Sequence, residues 1–107
     1  MKTFGQIIAE ARKALNMSQK DLAAKLRKED GEAISPQYLN DIEHDRRNPP
    51  SEFIIEQLAK HLKLSKEPLI AAAGMWPTDL REKLAGSDPK KVDEAFTAFR
   101  KVLKDKS

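Results

Sequence analysis

The chain has 107 residues, 35% of them charged and only 6% aromatic, with a formal net charge of +3. That length supports one hydrophobic core and is too short for two independent domains of ordinary size, while the modest positive balance favours an anionic partner without demanding one. There is no cysteine, which excludes a disulfide framework or thiolate site and suits the cytoplasm, and there is no apolar run near the ~18 residues of a membrane span.

Glycine and proline are scarce outside a few junctions, and no stretch alternates β-branched with polar residues over a useful length, so every element is expected to be helical. In "TFGQ" Thr3 can cap a first helix over about 4–15, with Gln6 in the place of its capping-box partner. Phe4, Ile7, Ile8, Ala11 and Leu15 fall on one face, and Asn16 suits the left-handed conformation that ends a helix. "MSQKDL" starts a second helix over about 19–28, with Ser18 as N-cap, Asp21 near the positive end of the dipole and Met17 stapled to Leu22. The device recurs in "ISPQYL": Ser35 caps, Pro36 takes the first helical position where no donor is needed, and Ile34 staples Leu39 in a third helix over about 36–44. After "RRNPP", Ser51 can cap a fourth helix with an Ile55, Leu58, Ala59, Leu62 stripe, and Ser65 a fifth that stops at Gly74. Past "GMWP", whose Trp76 is expected to anchor the tail, Leu80 and Leu84 sit on a short helix ended by "AGSDP". Asp88 and Pro89 then open a last helix with a Val92, Ala95, Phe96, Phe99, Val102, Leu103 stripe.

Two short capped helices in succession, the second showing small polar side chains, suit a duplex: the major groove admits one α-helix, and residues near its N-terminus reach base edges. At this point the chain resembles the Cro and phage-repressor type of helix-turn-helix proteins, the XRE family. The matching stretches are "EARKALNMSQKDLAAKL", "ISPQYLNDIE" and "RRNPPSEFIIEQLAKHLKLSKEPLIAAAG". The resemblance implies an all-α, five-helix lambda-repressor-like DNA-binding domain over residues 1–75, with residues 76–107 as a helical extension and possible dimerisation element.

It also implies roles, each of which its residue type can fill. Pro36, Gln37, Asn40 and Asp41 take positions that face the groove. Gln37 and Asn40 carry donor and acceptor together, as bidentate adenine reading needs; Asp41 accepts only, and Pro36 offers apolar contact, for instance to a thymine methyl. Gln19 stands where the family contacts a phosphate beside a helix N-terminus, with Lys20, Ser35 and Tyr38 as neighbours in the same role. Arg46, Arg47 and Asn48 lie in the loop that the family lays on the backbone. Arg12 and Glu43 match an ion pair joining the first helix to the third.

Two departures stand out. Between Leu26 and Ile34 lie seven residues, "RKEDGEA", where the family usually has a single glycine or similar residue, so a longer loop replaces the tight turn. Asp45 stands where glycine often closes the third helix, and Asp tolerates that conformation less well.

Blander readings compete. Gln37, Asn40 and Asp41 also suit a solvated helix face, Arg46 and Arg47 an ordinary basic loop, and Tyr38 packing on the domain in place of a phosphate contact. His44 and His61 lack companion ligands, so no metal is expected. No base and nucleophile are arranged together and no glycine-rich phosphate loop exists, so neither enzyme activity nor a cofactor is expected. The terminal stripe reads either as packing on the fourth and fifth helices or as a self-association surface of Val92, Phe96, Phe99, Val102 and Leu103, the reading preferred here. The expected function is a sequence-specific transcriptional regulator, a repressor by default, binding double-stranded DNA as a homodimer. The alternatives are an antitoxin-like or immunity regulator that binds a partner protein through its C-terminal helix, and a helical adaptor that binds only protein.

Overall fold

The computed structural model describes residues 1–104, so the last three residues of the expected extension lie outside the described ones. The helices are α1 (Phe4–Ala14), α2 (Gln19–Lys25), α3 (Pro36–Glu43), α4 (Glu52–Leu62), α5 (Lys66–Ala72), α6 (Thr78–Ala85) and α7 (Pro89–Lys104). The chain divides into two compact units after Trp76.

In the first unit, α1 packs on α3 and α4, α2 on α3, and α4 on α5. Ile8, Leu22, Leu26, Leu39, Ile55, Leu58 and Ile70 are the largest fully buried side chains, each removing apolar area worth about 1.5 to 3 kcal/mol from water. Met17 packs on this core and Ile34 lies within it, as the staple positions require.

The helix starts follow local chemistry. Thr3 and Ser18 each close a reciprocal capping box, with Gln6 and with Asp21, and Ser35 accepts from Tyr38 N. The two backbone and side-chain hydrogen bonds with Ser18, followed by Lys25 and Lys20, hold the Asp21 carboxyl below its ordinary range. Ser51 and Ser65 occupy N-cap positions without capping through their side chains. Ser51 Oγ donates instead to Glu29 Oε2 at 3.2 Å.

The ends of α1, α3, α4 and α5 share one device: a left-handed residue, Asn16, Asp45, Lys63 or Gly74, lets the following N–H reach back five residues. At α3 this closure brings Arg46 N to Asp41 O at 2.9 Å, so the basic loop starts against the helix it follows.

The seven residues between Leu26 and Ile34 form a small hairpin. Leu26 is extended and buried, so α2 ends at Lys25, three residues before the expected limit at 28. Lys28 N donates to Glu32 O, Gly31 N to Lys28 O, and Ile34 N to Leu26 O, with Arg27 bridged to Ala33. Gly31, at φ +91, supplies the conformation that closes a three-residue hairpin loop. Gln57 of α4 fixes the hairpin's base, accepting from Arg27 N and donating to Arg27 O, both at 2.8 Å.

In the second unit, α6 and α7 carry no buried residue among those described. Asp88 caps α7 by accepting from Lys91 N. Along its stripe Val92 and Phe96 are half-buried, while Phe99, Val102 and Leu103 are exposed; Arg100 lies 5.9 Å from the Phe96 ring centroid. Among the described residues no helix is long and apolar enough to cross a membrane.

Candidate nucleic-acid interface

The α3 helix exposes Pro36 and Gln37 and half-exposes Tyr38, Asn40 and Asp41, while Leu39 and Ile42 point into the core. Its outer face is therefore wholly polar apart from the Pro36 ring and the edge of Tyr38. Gln37 Nε2 donates to Asp41 Oδ1 at 3.0 Å, one turn on, which leaves Gln37 one amide N–H and its oxygen for an outside partner.

Beneath that face lies the pair expected from the sequence positions of Arg12 and Glu43. Arg12 Nε donates to Glu43 Oε2 at 2.6 Å and Nη2 to Oε1 at 2.9 Å, a bidentate fork, and Nη1 donates to Met17 O at 2.7 Å. Both residues are buried. The fork joins α1 to α3, and the Met17 contact ties in the turn that leads to α2.

Gln19, on the first turn of α2, faces the same carboxylate. Its Nε2 donates to Glu43 Oε1 at 2.8 Å and its Oε1 accepts from Asn40 Nδ2 at 3.2 Å. Asn40 Oδ1 in turn accepts from Arg46 Nη1 at 3.1 Å, and the same guanidinium nitrogen lies 3.6 Å from Asp41 Oδ1. Arg47 lies with its guanidinium carbon 4.6 Å from the Tyr38 ring centroid, a cation–π distance. The structure thus gathers Gln19, Gln37, Tyr38, Asn40, Asp41, Arg46 and Arg47 on one surface; Lys20, Ser35 and Asn48 are exposed on the adjoining turns.

Sequence reasoning missed two residues that hold this surface in place. Gly5 packs so closely on the end of α3 that a Cβ there would collide with the backbone oxygens of Ile42 and Glu43. Asp45 takes the left-handed conformation at φ 56, as the position requires, and its carboxylate accepts from Gly5 N at 3.0 Å and from Thr3 Oγ1 at 2.6 Å, bonds that a glycine there could not make. A left-handed Asp costs about 1 to 2 kcal/mol, and charge-assisted bonds to an otherwise unpaired helix-start N–H offset it. A glycine inside the first turn of a helix was the available signal.

His44 Nδ1 lies 2.9 Å from Asn40 O at the end of α3, and His61 is on α4, where burial, then Lys25 and Lys60, push its pKa below 6.5. No three metal-ligating side chains converge among the described residues.

Residues 8–69 match a family model described as helix-turn-helix. The chain is 34% identical over 89 residues to a protein described as the uncharacterized HTH-type transcriptional regulator RghRB of Bacillus subtilis (strain 168), covering 80% of this chain and 60% of that protein. It therefore spans less than two thirds of the length of the curated relative it matches. A solved structure titled SinR protein/SinI protein complex superposes with a TM-score of 0.54 at 23% identity, over 96% of this chain and 99% of that one, a likeness of fold. By its family match, which spans more than half of it, the chain belongs to the helix-turn-helix proteins of the XRE type.

Proposed function

We propose that the protein is a sequence-specific DNA-binding transcriptional regulator that lays α3 in the major groove of a duplex. The observation that carries the reading is the arrangement on α3: Gln37, Asn40 and Asp41 line its outer face, and Arg46 and Arg47 are drawn against that face by Asn40 and Tyr38. Amides and a carboxylate supply what base edges recognise; the adjoining cations supply what phosphates recognise. Pro36, Gln37, Asn40 and Asp41 read bases. Lys20, Ser35, Tyr38, Arg46, Arg47, Asn48 and the second Nε2 proton of Gln19 set register on the backbone. Repression by occluding a promoter is the simplest mode of action, it calls for no catalytic activity, and the cytoplasm is where such a duplex is met.

A regulator of this kind binds as a dimer, each copy reading one half-site, with half-site centres ~34 Å apart. Val92, Phe96, Phe99, Val102 and Leu103 on α7 form the pairing surface in this reading, which is supported by the exposure of Val102 and Leu103. That exposure also supports a second reading, in which residues 76–107 bind a different protein and make the chain an antitoxin-like or immunity regulator. Sedimentation of the V102E/L103E variant separates them: a parent dimer that becomes a monomer favours self-association, whereas a parent that is already a monomer favours the other partner. The test of DNA binding is selection from a random pool of duplexes. It yields a preferred, roughly palindromic sequence if the reading holds, and no enrichment if the polar face of α3 meets protein instead.

A further inference from the structure

Asn and Gln amides present a problem to any reader of bases. Turned over, each has nearly the same shape but exchanges its donor for its acceptor, so an amide with no fixed neighbours reads two patterns almost equally well. Asn40 has fixed neighbours on both sides, and they belong to a directed row that starts in the core.

The row begins at Glu43, whose carboxylate is clamped by two Arg12 nitrogens and can only accept. Gln19 must therefore turn its Nε2 to Glu43 at 2.8 Å, which leaves Oε1 facing Asn40. Asn40 must then turn its Nδ2 to Gln19 at 3.2 Å, which leaves Oδ1 to accept from Arg46 Nη1 at 3.1 Å. A guanidinium can only donate, so the far end agrees with the near one. Every bond points the same way. Turning either amide over sets two acceptors against each other at one junction and two donors at the next, in a partly buried setting where unmade bonds are costly.

We propose that Gln19 is a positioning residue for sequence readout: it passes the acceptor-only character of the buried Glu43 on to Asn40 and so decides which edge of the Asn40 amide meets a base pair. The inference rests on the DNA-binding reading above and adds to it a determinant of specificity in α2 that makes its effect without touching a base. Asn40 keeps one N–H and one oxygen lone pair for the base, at places fixed by a carboxylate two side chains away. A clamp that merely held α2 against α3 would lack this directional consequence.

The test starts from the duplex that the parent protein selects, with the base pair read by Asn40 identified as the one whose preference vanishes in N40A. Gln19→Met keeps the length of the side chain and removes its amide. The expected result is a loss of about tenfold in discrimination at that base pair, the size of one well-placed amide contact, with the preference at the pair read by Gln37 kept. Glu43→Gln removes the acceptor-only head of the row: a Gln that accepts from Arg12 turns its amide N–H toward Gln19, which opposes the direction that Arg46 imposes at the far end, so discrimination at the Asn40 pair falls. Full discrimination retained by Q19M, or an equal loss at every base pair, overturns the proposal. If E43Q fails to fold, Q19M on the half-exposed Gln19 carries the test alone. A second readout needs no DNA: the side-chain amide signals of Asn40 in the free protein shift and exchange faster with water in Q19M, and unchanged signals overturn the proposal. A parent that selects no duplex sinks the DNA-binding reading, and the amide signals still decide whether Gln19 orients Asn40.

Discussion

The carboxylate of Asp45 accepts a hydrogen bond from the backbone N–H of Gly5 at 3.0 Å, so the residue that ends α3 caps the start of α1. The same close approach leaves no room for a larger residue at Gly5, because a Cβ would meet the backbone oxygens of Ile42 and Glu43, which cannot swing aside as the neighbouring Asp45 carboxylate can. Gly5→Ala is expected to destabilise by about 2 to 3 kcal/mol through overpacking, despite the better helix propensity of alanine. Asp45→Ala loses the cap and keeps the left-handed strain, whereas Asp45→Gly loses the cap and relieves it, so the glycine variant is expected to be the more stable by about 1 kcal/mol. Urea unfolding of the three variants checks both statements.

The Arg12–Glu43 pair is buried, and its energetics are those of a clamp. Arg12→Met strands a buried carboxylate and is expected to cost about 3 to 5 kcal/mol. Adding Glu43→Leu is expected to restore most of that loss, since apolar residues of similar volume replace buried pairs at little net cost. Thermal unfolding of the single and double variants decides whether the pair fixes geometry, as held here, or supplies net stability.

Apart from the Arg12–Glu43 pair, which the family resemblance implies, the sequence patterns that the structure bears out are local ones. Caps at Thr3, Ser18 and Ser35, Pro36 at the first position of α3, and a helix stop at Asn16 depend on neighbours within six residues, and their chemistry is written in the chain. What was not legible depends on distant partners. Ser51 looks like a cap, but Glu29 from the hairpin takes its hydroxyl. "RKEDGEA" reads as a plain loop until Gln57 pins its first residue, Arg27, although the "DG" pair already carries a hairpin signal. Gln19 reads as a phosphate contact by position, and its bonds to Glu43 and Asn40 emerge only when three helices meet.

Stability should depend on pH through His61. Burial, reinforced by Lys25 and Lys60, lowers its pKa in the folded chain below the 6.5 of the unfolded one. As pH falls through that value the unfolded chain takes up a proton that the folded chain resists, so stability is full above it and declines until the folded pKa is passed. His61→Gln is expected to flatten this part of the profile, read as the urea midpoint between pH 7.5 and pH 5, which about brackets the histidine range.

Arg47 rests on the Tyr38 ring and makes no base-reading contact in this account. Arg47→Ala is expected to weaken binding to all duplexes alike and to lower the salt slope of log K by about 1. Tyr38→Leu keeps the charge but frees the guanidinium, so it should weaken binding while leaving the slope nearly unchanged. Titrations at several salt concentrations distinguish the two.

The most direct test of the central claim, that the outer face of α3 reads bases, is the affinity of the parent and of Gln37→Ala for the selected duplex and for single-base variants of it. The substitution is expected to cost about 1 to 3 kcal/mol on the selected duplex and to erase the preference at one base pair, with binding to unrelated duplexes unchanged. An equal loss on every duplex, or no loss on any, would contradict that claim.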